Sequence, residues 1–163
     1  MEIRTYPDPV LRRKAEPVAE IDEETKKICE KMVEAMIRAD GVGLAAPQIG
    51  ISKRIIVLDV EGEFHVLINP ELVATSEETE EFTEGCLSVP GVSATVTRSA
   101  EATVVGTRLD GSEVKITGKG LLARAIQHEI DHLEGRLFID RLSPARRQSI
   151  RKEYERKRRE KEK

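Results

Sequence analysis

The most informative stretch of this 163-residue chain is Gln127-His128-Glu129-Ile130-Asp131-His132, because it predicts a helix that carries two candidate metal ligands. On a helix, side chains four residues apart share a face, so His128 and His132 can reach the same metal ion. Glu129 projects beside that pair without having to be a ligand, as a base acting on water requires. The stretch therefore predicts a metal-dependent hydrolase, and a solvated helix with two surface histidines is the alternative.

The surrounding sequence predicts the fold class. The motif helix should cover 120–134, with Gly135 as its cap. Upstream, β-branched runs predict strands, and Asp110-Gly111 is typical of a tight hairpin turn. The predicted strands are 54–60, 64–68 (ending at Asn69-Pro70), 92–96, 104–107 and 114–117. Since hairpins dominate, we expect an α+β fold in which antiparallel β-sheets pack around the central motif helix.

A helix is predicted at each end of the chain. Asp22 is a typical N-cap, an apolar stripe follows it, and Gly41 supplies the stop. The last helix should start near Ser143-Pro144 and cover about 144–163. Because no linker or repeat divides the sequence, residues 1–163 are expected to form one catalytic domain with a charged, net-basic C-terminal helix.

Composition narrows the class of protein. The net charge is −3, although 146–163 alone holds ten basic and four acidic residues. No apolar stretch approaches membrane-spanning length, and none resembles a signal peptide. The two cysteines are Cys29, expected in the core, and Cys86. We therefore expect a cytoplasmic protein with no membrane contact and no structural disulfide.

The histidine pair needs a third ligand, for which the sequence offers three sources. A metzincin-type site would need a histidine at position 138, where the chain has Phe138. Glu153 or Glu155 would complete a zinc endopeptidase, although both lie in the charged C-terminal segment. Cys86 would give one thiolate and two imidazoles with an open fourth position, the arrangement of catalytic sites. The residues favour Cys86, and an endopeptidase or a metal-binding protein without turnover stays open.

Three segments together carry a family resemblance. They are Gly41-Val42-Gly43-Leu44-Ala45-Ala46-Pro47-Gln48, Glu84-Gly85-Cys86-Leu87-Ser88 and the histidine motif. In this order and at these separations they resemble the peptide deformylase family. Tyr6-Pro7-Asp8-Pro9 and Leu137-Phe138-Ile139-Asp140-Arg141-Leu142-Ser143 extend the similarity over nearly the whole chain.

The resemblance implies removal of the N-formyl group from the initiator methionine of newly made polypeptides, with release of formate. It also implies one divalent metal ion, physiologically Fe2+, with Zn2+, Ni2+ or Co2+ as substitutes. The metal ligands would be Cys86, His128 and His132. Glu129 would take the proton of the attacking water, while the Gln48 side chain and the Leu87 backbone N–H would stabilise the developing oxyanion.

The resemblance also implies where the substrate binds. The candidate substrate-binding residues are Val42, Gly43, Gly85, Arg98, Leu121 and Ala125. The methionine side chain is expected against Leu121 and Ala125, which share the face of His128. Arg98 is a candidate on its position alone: at the end of an alternating strand it either reaches peptide carbonyls or is an exposed surface charge. Arg124 shares the His128 face too, and we expect its aliphatic stem to pack there while its guanidinium stays in water.

The expected partners are N-formylmethionyl nascent peptides and, through the C-terminal helix, the ribosome. The basic excess of 146–163 motivates the second expectation, because an exposed cationic helix attracts polyanions. An exposed helix with internal ion pairs between residues four apart is the alternative.

Overall fold

The structure, a computed structural model, describes residues 2–161 and contains three helices and seven strands in that range. The helices are α1 (Glu23–Arg38), α2 (Gly120–Leu133) and α3 (Pro144–Lys161). The strands are β1 (Gly43–Ala45), β2 (Ile55–Val60), β3 (Glu63–Thr75), β4 (Thr79–Cys86), β5 (Val89–Ser99), β6 (Glu101–Thr107) and β7 (Glu113–Lys119). The last two residues of the predicted C-terminal helix lie outside the described residues.

The strands form two antiparallel sheets. One has five strands in the order β1-β2-β3-β6-β7, and the other is the β4–β5 hairpin. β1 and β4 each have one edge without a neighbouring strand in the described chain. The predicted α+β class with antiparallel sheets is confirmed.

Most residues of helix α2 are buried, and its apolar residues pack on the five-stranded sheet. Ala123 and Ile126 pack with Ile56 and Leu58 of β2. Alternate residues of β2 point to the opposite face of the sheet, where they join the apolar side of α1.

Of the helices within residues 2–161, none combines the length and the apolar character needed to cross a membrane.

Several predicted ends of elements agree with the structure. The Asp22 carboxylate accepts a hydrogen bond from Thr25 N at 2.9 Å, so it caps α1 as expected. Gly111 has a φ of +88° in the turn between β6 and β7. Cys29 is buried in the core, burial raises the pKa of its thiol to about 11, and neither cysteine forms a disulfide.

Other predicted boundaries are wrong. The second predicted strand does not end at Asn69-Pro70, because β3 continues to Thr75 through an irregularity in its pairing with β6. Asn69 has a φ of +52° there, and its side-chain amide bonds to both the N–H and the C=O of Val18, at 2.8 and 2.9 Å. β1 and β4 were not predicted. β4 was missed because most of its side chains are exposed, so it lacks apolar alternation.

Candidate active site

Cys86, the last residue of β4, lies next to His128 and His132 of α2. One ligand atom from each of these three residues lies within 4.8 Å of the other two. Cys86 Sγ is 3.3 Å from His132 Nε2. The structure thus brings together the three predicted ligands, and among the described residues the group contains neither Glu153 nor Glu155.

Glu84 orients one of the two histidines. Its Oε1 lies 2.9 Å from His128 Nδ1. A carboxylate only accepts hydrogen bonds, so Nδ1 donates and Nε2 stays free for a metal ion. Burial opposes ionisation of Glu84, but hydrogen bonds from His128 and Arg98 outweigh it and lower the pKa of Glu84 to about 2.

Sequence reasoning missed the role of Glu84. Its contact with His128 depends on β4, a strand that the sequence does not predict and whose pairing with β5 is irregular between Gly85 and Cys86. The one signal in the sequence is that an acidic residue lies two positions before the candidate ligand Cys86.

The two histidines differ in electrostatic surroundings. Burial opposes the charged form of His128, but hydrogen bonds to Cys86 and Glu84 outweigh burial and raise its pKa. Burial and the neighbouring His128 both lower the pKa of His132. His132 Nδ1 is buried and has no hydrogen-bond partner within the described part of the chain.

Glu129 is a buried carboxyl group beside the ligand group, with 4 % of its surface exposed. Burial raises its pKa to about 7. Its Oε1 has no hydrogen-bond partner among residues 2–161. A Cβ at Gly43 would lie 2.6 Å from Glu129 Oε2, so only glycine allows β1 to approach this carboxyl group so closely. The result is a buried base with a free oxygen atom.

Gln48 is positioned by the short 3₁₀ helix Ala46–Ile49, which follows β1. Its Oε1 accepts a hydrogen bond from Ala45 N at 2.9 Å. That bond orients the amide so that Nε2 donates to Ser88 Oγ at 3.1 Å and lies 3.8 Å from Cys86 Sγ. Gln48 therefore presents a buried N–H donor beside the ligand group.

A cavity of about 560 Å³ opens onto these groups and is lined by Gln48, Cys86, Leu87, His128 and Glu129. Five of the six predicted substrate-binding residues also line it, namely Val42, Gly43, Gly85, Leu121 and Ala125. The sixth, Arg98, does not.

The prediction for Arg98 is therefore wrong in its geometry. Its guanidinium is buried, donates to Glu84 through Nε (2.5 Å) and Nη2 (3.0 Å), and donates to Asp131 through Nη1 (2.9 Å). The guanidinium is thus buried in ion pairs and does not line the cavity, so it is not placed to reach peptide carbonyls there. The sequence held a signal, because Arg98 continues the inward alternation of the β5 residues Val92, Ala94 and Val96.

The prediction for Arg124 is also wrong. Arg124 lines the cavity, but its guanidinium is buried and donates to Glu84 Oε2 at 2.5 Å instead of reaching water. An arginine head can be buried when its donors are satisfied, and Glu84 with two backbone carbonyls satisfies this one.

The sequence matches the family model described as Polypeptide deformylase over residues 1–148. The chain belongs to this family. It is 54 % identical over 141 residues to a peptide deformylase of Natranaerobius thermophilus, covering 86 % of this chain and 90 % of that one. It is 51 % identical over 162 residues to a peptide deformylase of Syntrophobacter fumaroxidans, covering 96 % and 95 %.

Solved peptide deformylase structures agree with the fold. A crystal structure from Legionella pneumophila superposes with a TM-score of 0.93 at 44 % identity, covering 99 % of this chain and 97 % of that one. One from Thermotoga maritima gives 0.84 at 48 % identity, covering 88 % and 97 %. The region that matches the polypeptide deformylase family contains the whole candidate site, and the endopeptidase alternative has no support in these comparisons.

Proposed function

We propose that this protein removes the N-formyl group from the initiator methionine of newly made polypeptides and releases formate. Membership of the polypeptide deformylase family supports this activity. The observation that carries it in the structure is the meeting of one cysteine and two histidines with a buried, non-ligating glutamate at one cavity.

The ligand group fits a metal ion. Cys86, His128 and His132 offer one atom each, and Glu84 leaves His128 Nε2 free. A divalent ion held there supplies a Lewis acid that polarises the formyl oxygen and makes water easier to deprotonate. One thiolate and two imidazoles suit several transition metals. We propose Fe2+ as the physiological ion and Zn2+, Ni2+ or Co2+ as substitutes.

Glu129 is proposed to move the proton. Its carboxylate takes the proton from the water that attacks the formyl carbon, and then gives it to the amine nitrogen as the C–N bond breaks. A pKa raised to about 7 by burial suits a group that must accept and release a proton near neutral pH. The free Oε1, without a partner in residues 2–161, has room for a water molecule's hydrogen bond.

When water attacks the formyl carbon, negative charge develops on the formyl oxygen. We propose that Gln48 Nε2 and the Leu87 backbone N–H donate hydrogen bonds to it. Both residues line the cavity, and Gln48 is held in place by its bond from Ala45 N. A pre-oriented donor of this kind contributes about 10²–10³ in rate.

The peptide is proposed to bind between two strand edges. β1 and β4 each present an edge without a neighbouring strand in the described chain, and Gly43 and Gly85 on these edges line the cavity. An extended peptide can add to such edges through backbone hydrogen bonds. The methionine side chain would then lie against Val42, Leu121 and Ala125.

The chain is proposed to act as one domain over residues 1–163. The free thiols of Cys29 and Cys86 agree with a reducing compartment, which we propose is the cytoplasm. The exposed basic residues of α3 support docking on the ribosome through that helix.

The direct test is release of formate from formyl-Met-Ala-Ser by protein that is purified without oxygen and loaded with Fe2+ or Ni2+. Oxygen is excluded because a thiolate at an open metal site is prone to oxidation. We expect one formate per peptide and none from the unformylated control. Cleavage of internal amide bonds without formate would overturn the proposal.

A further inference from the structure

Arg124 is an unexpected residue in a cavity that takes an apolar side chain. It stands one helical turn before His128 on α2, and it reaches across to β4, the strand that ends at Cys86. The proposed ligands come from these two elements alone. A side chain that joins them therefore influences how the ligands face each other.

The contacts of Arg124 follow one face of β4. Nη2 donates to the backbone oxygen of Glu80 at 2.8 Å, Cζ lies 5.6 Å from the centre of the Phe82 ring, and Nη1 donates to Glu84 Oε2 at 2.5 Å. These three residues are two apart, so their side chains share a face of the strand. Nη1 also donates to the backbone oxygen of Val96, which pairs with Phe82 across the hairpin.

Glu84 carries the effect of this contact to a proposed ligand. Its Oε2 accepts from Arg124 and Arg98, and its Oε1 accepts from Arg98 and His128. The two guanidinium groups thus fix the position of the Glu84 carboxylate, which in turn orients the ring of His128. Partners of this kind, behind a metal-ligating histidine, are worth about 10–100-fold in metal affinity or activity.

From these contacts we infer that Arg124 is a positioning residue of the metal site. It clamps α2 to β4, setting His128 and His132 against Cys86, and it holds Glu84 in the place from which Glu84 orients His128. It acts through Glu84 and the strand without contacting the reacting atoms. This inference rests on the proposed metal site.

The test compares Arg124→Met with Arg54→Met. Methionine keeps an unbranched apolar stem in the cavity and removes the guanidinium. Arg54 is a matched control, because it also donates to one carboxylate, that of Glu134, and to two backbone carbonyls, those of Ala15 and Leu133. It touches neither β4 nor the ligands. Both variants should lose stability, so stability does not discriminate between them.

Zn2+ affinity, measured by competition with a chelator, and the thiolate-to-metal absorption of the Co2+ protein are the discriminating readouts. In Arg124→Met we expect a Zn2+ Kd raised about tenfold and a shifted Co2+ spectrum. We also expect a lower kcat with KM nearly unchanged, since the stem remains. Arg54→Met should match the parent protein in affinity, spectrum and kcat.

Arg124→Lys keeps a charge against Glu84, but its single ammonium cannot span all three acceptors. Its Zn2+ affinity should fall between those of the parent and Arg124→Met, and it serves as the test if the methionine variant does not fold. Unchanged affinity and spectrum in the folded Arg124 variants would overturn the inference. A parent protein that binds Zn2+ but releases no formate would instead contradict the proposed function.

Discussion

At the scale of single residues, Glu129 and Cys86 line the same cavity but have different proposed functions. Cys86 contributes a sulfur atom to the group of three ligands, whereas Glu129 lies beside that group with a free oxygen. Metal binding and proton transfer are thus assigned to different side chains. This separation can be tested because a variant of one residue should leave the function of the other measurable.

We expect Glu129→Ala to lower kcat by at least about 10³-fold while metal content stays near one ion per chain. Cys86→Ala should lose both the metal and the activity, because two histidines alone hold a divalent ion weakly. Metal analysis of both purified proteins, beside the formate assay, checks the pair. A large loss of metal in Glu129→Ala would show that Glu129 is a ligand.

The sequence alone predicts that residues close together in the chain lie close together in the site. His128, Glu129 and His132 lie within one helical turn, so the helix period brings them together. The ion pairs of Arg98 and Arg124 with Glu84 join residues 14 and 40 positions apart, and charge pairing over that distance depends on how the elements pack. Composition could not specify which acid each arginine meets.

At the scale of elements, strands with β-branched runs or apolar alternation are predictable from the sequence, and β1 and β4, which have neither, are not. β5 buries every second residue over most of its length and was found. β4 is mostly exposed, and β3 passes through Pro70, where a sequence rule places an end. β3 is able to continue because Asn69 accepts a positive φ and is tied to Val18.

Replacing Asn69 tests this explanation. Asn69→Ala removes both hydrogen bonds to Val18 and places alanine at a positive φ, so we expect the free energy of unfolding to fall by about 1–2 kcal/mol. Asn69→Gly also removes both hydrogen bonds but accepts the positive φ without strain, so its loss should be smaller. Urea unfolding of the metal-free proteins measures both. Equal stability of the alanine variant and the parent would refute this role.

At the scale of the whole molecule, the cavity lies where two sheets and one buried helix meet. β1 supplies Gly43, β4 supplies Gly85 and Cys86, and α2 supplies His128 and Glu129. None of the described residues of α3 lines the cavity, and the helix is anchored by the buried Tyr154, whose hydroxyl donates to Tyr6 O at 2.6 Å. Its basic residues Arg156, Arg159 and Lys161 are exposed, so a partner can reach them without entering the cavity.

The ribosome proposal predicts a salt-dependent association that needs these charges. The triple variant Arg156→Gln, Arg159→Gln and Lys161→Gln keeps the length of α3 and removes three positive charges. We expect its co-sedimentation with ribosomes to fall several-fold, and that of the parent to fall steeply with added salt. Formate release from a short peptide should not change. Co-sedimentation equal to that of the parent would count against docking through α3.

The proposed activity depends on one metal ion held by Cys86, His128 and His132. Titration of the metal-free protein with Ni2+, with bound metal and formate release from formyl-Met-Ala-Ser measured in the same samples, tests it most directly. We expect formate release to rise in proportion to bound Ni2+ and to level off at one ion per chain. Formate release that is independent of metal, or a fully loaded protein that releases none, would contradict it.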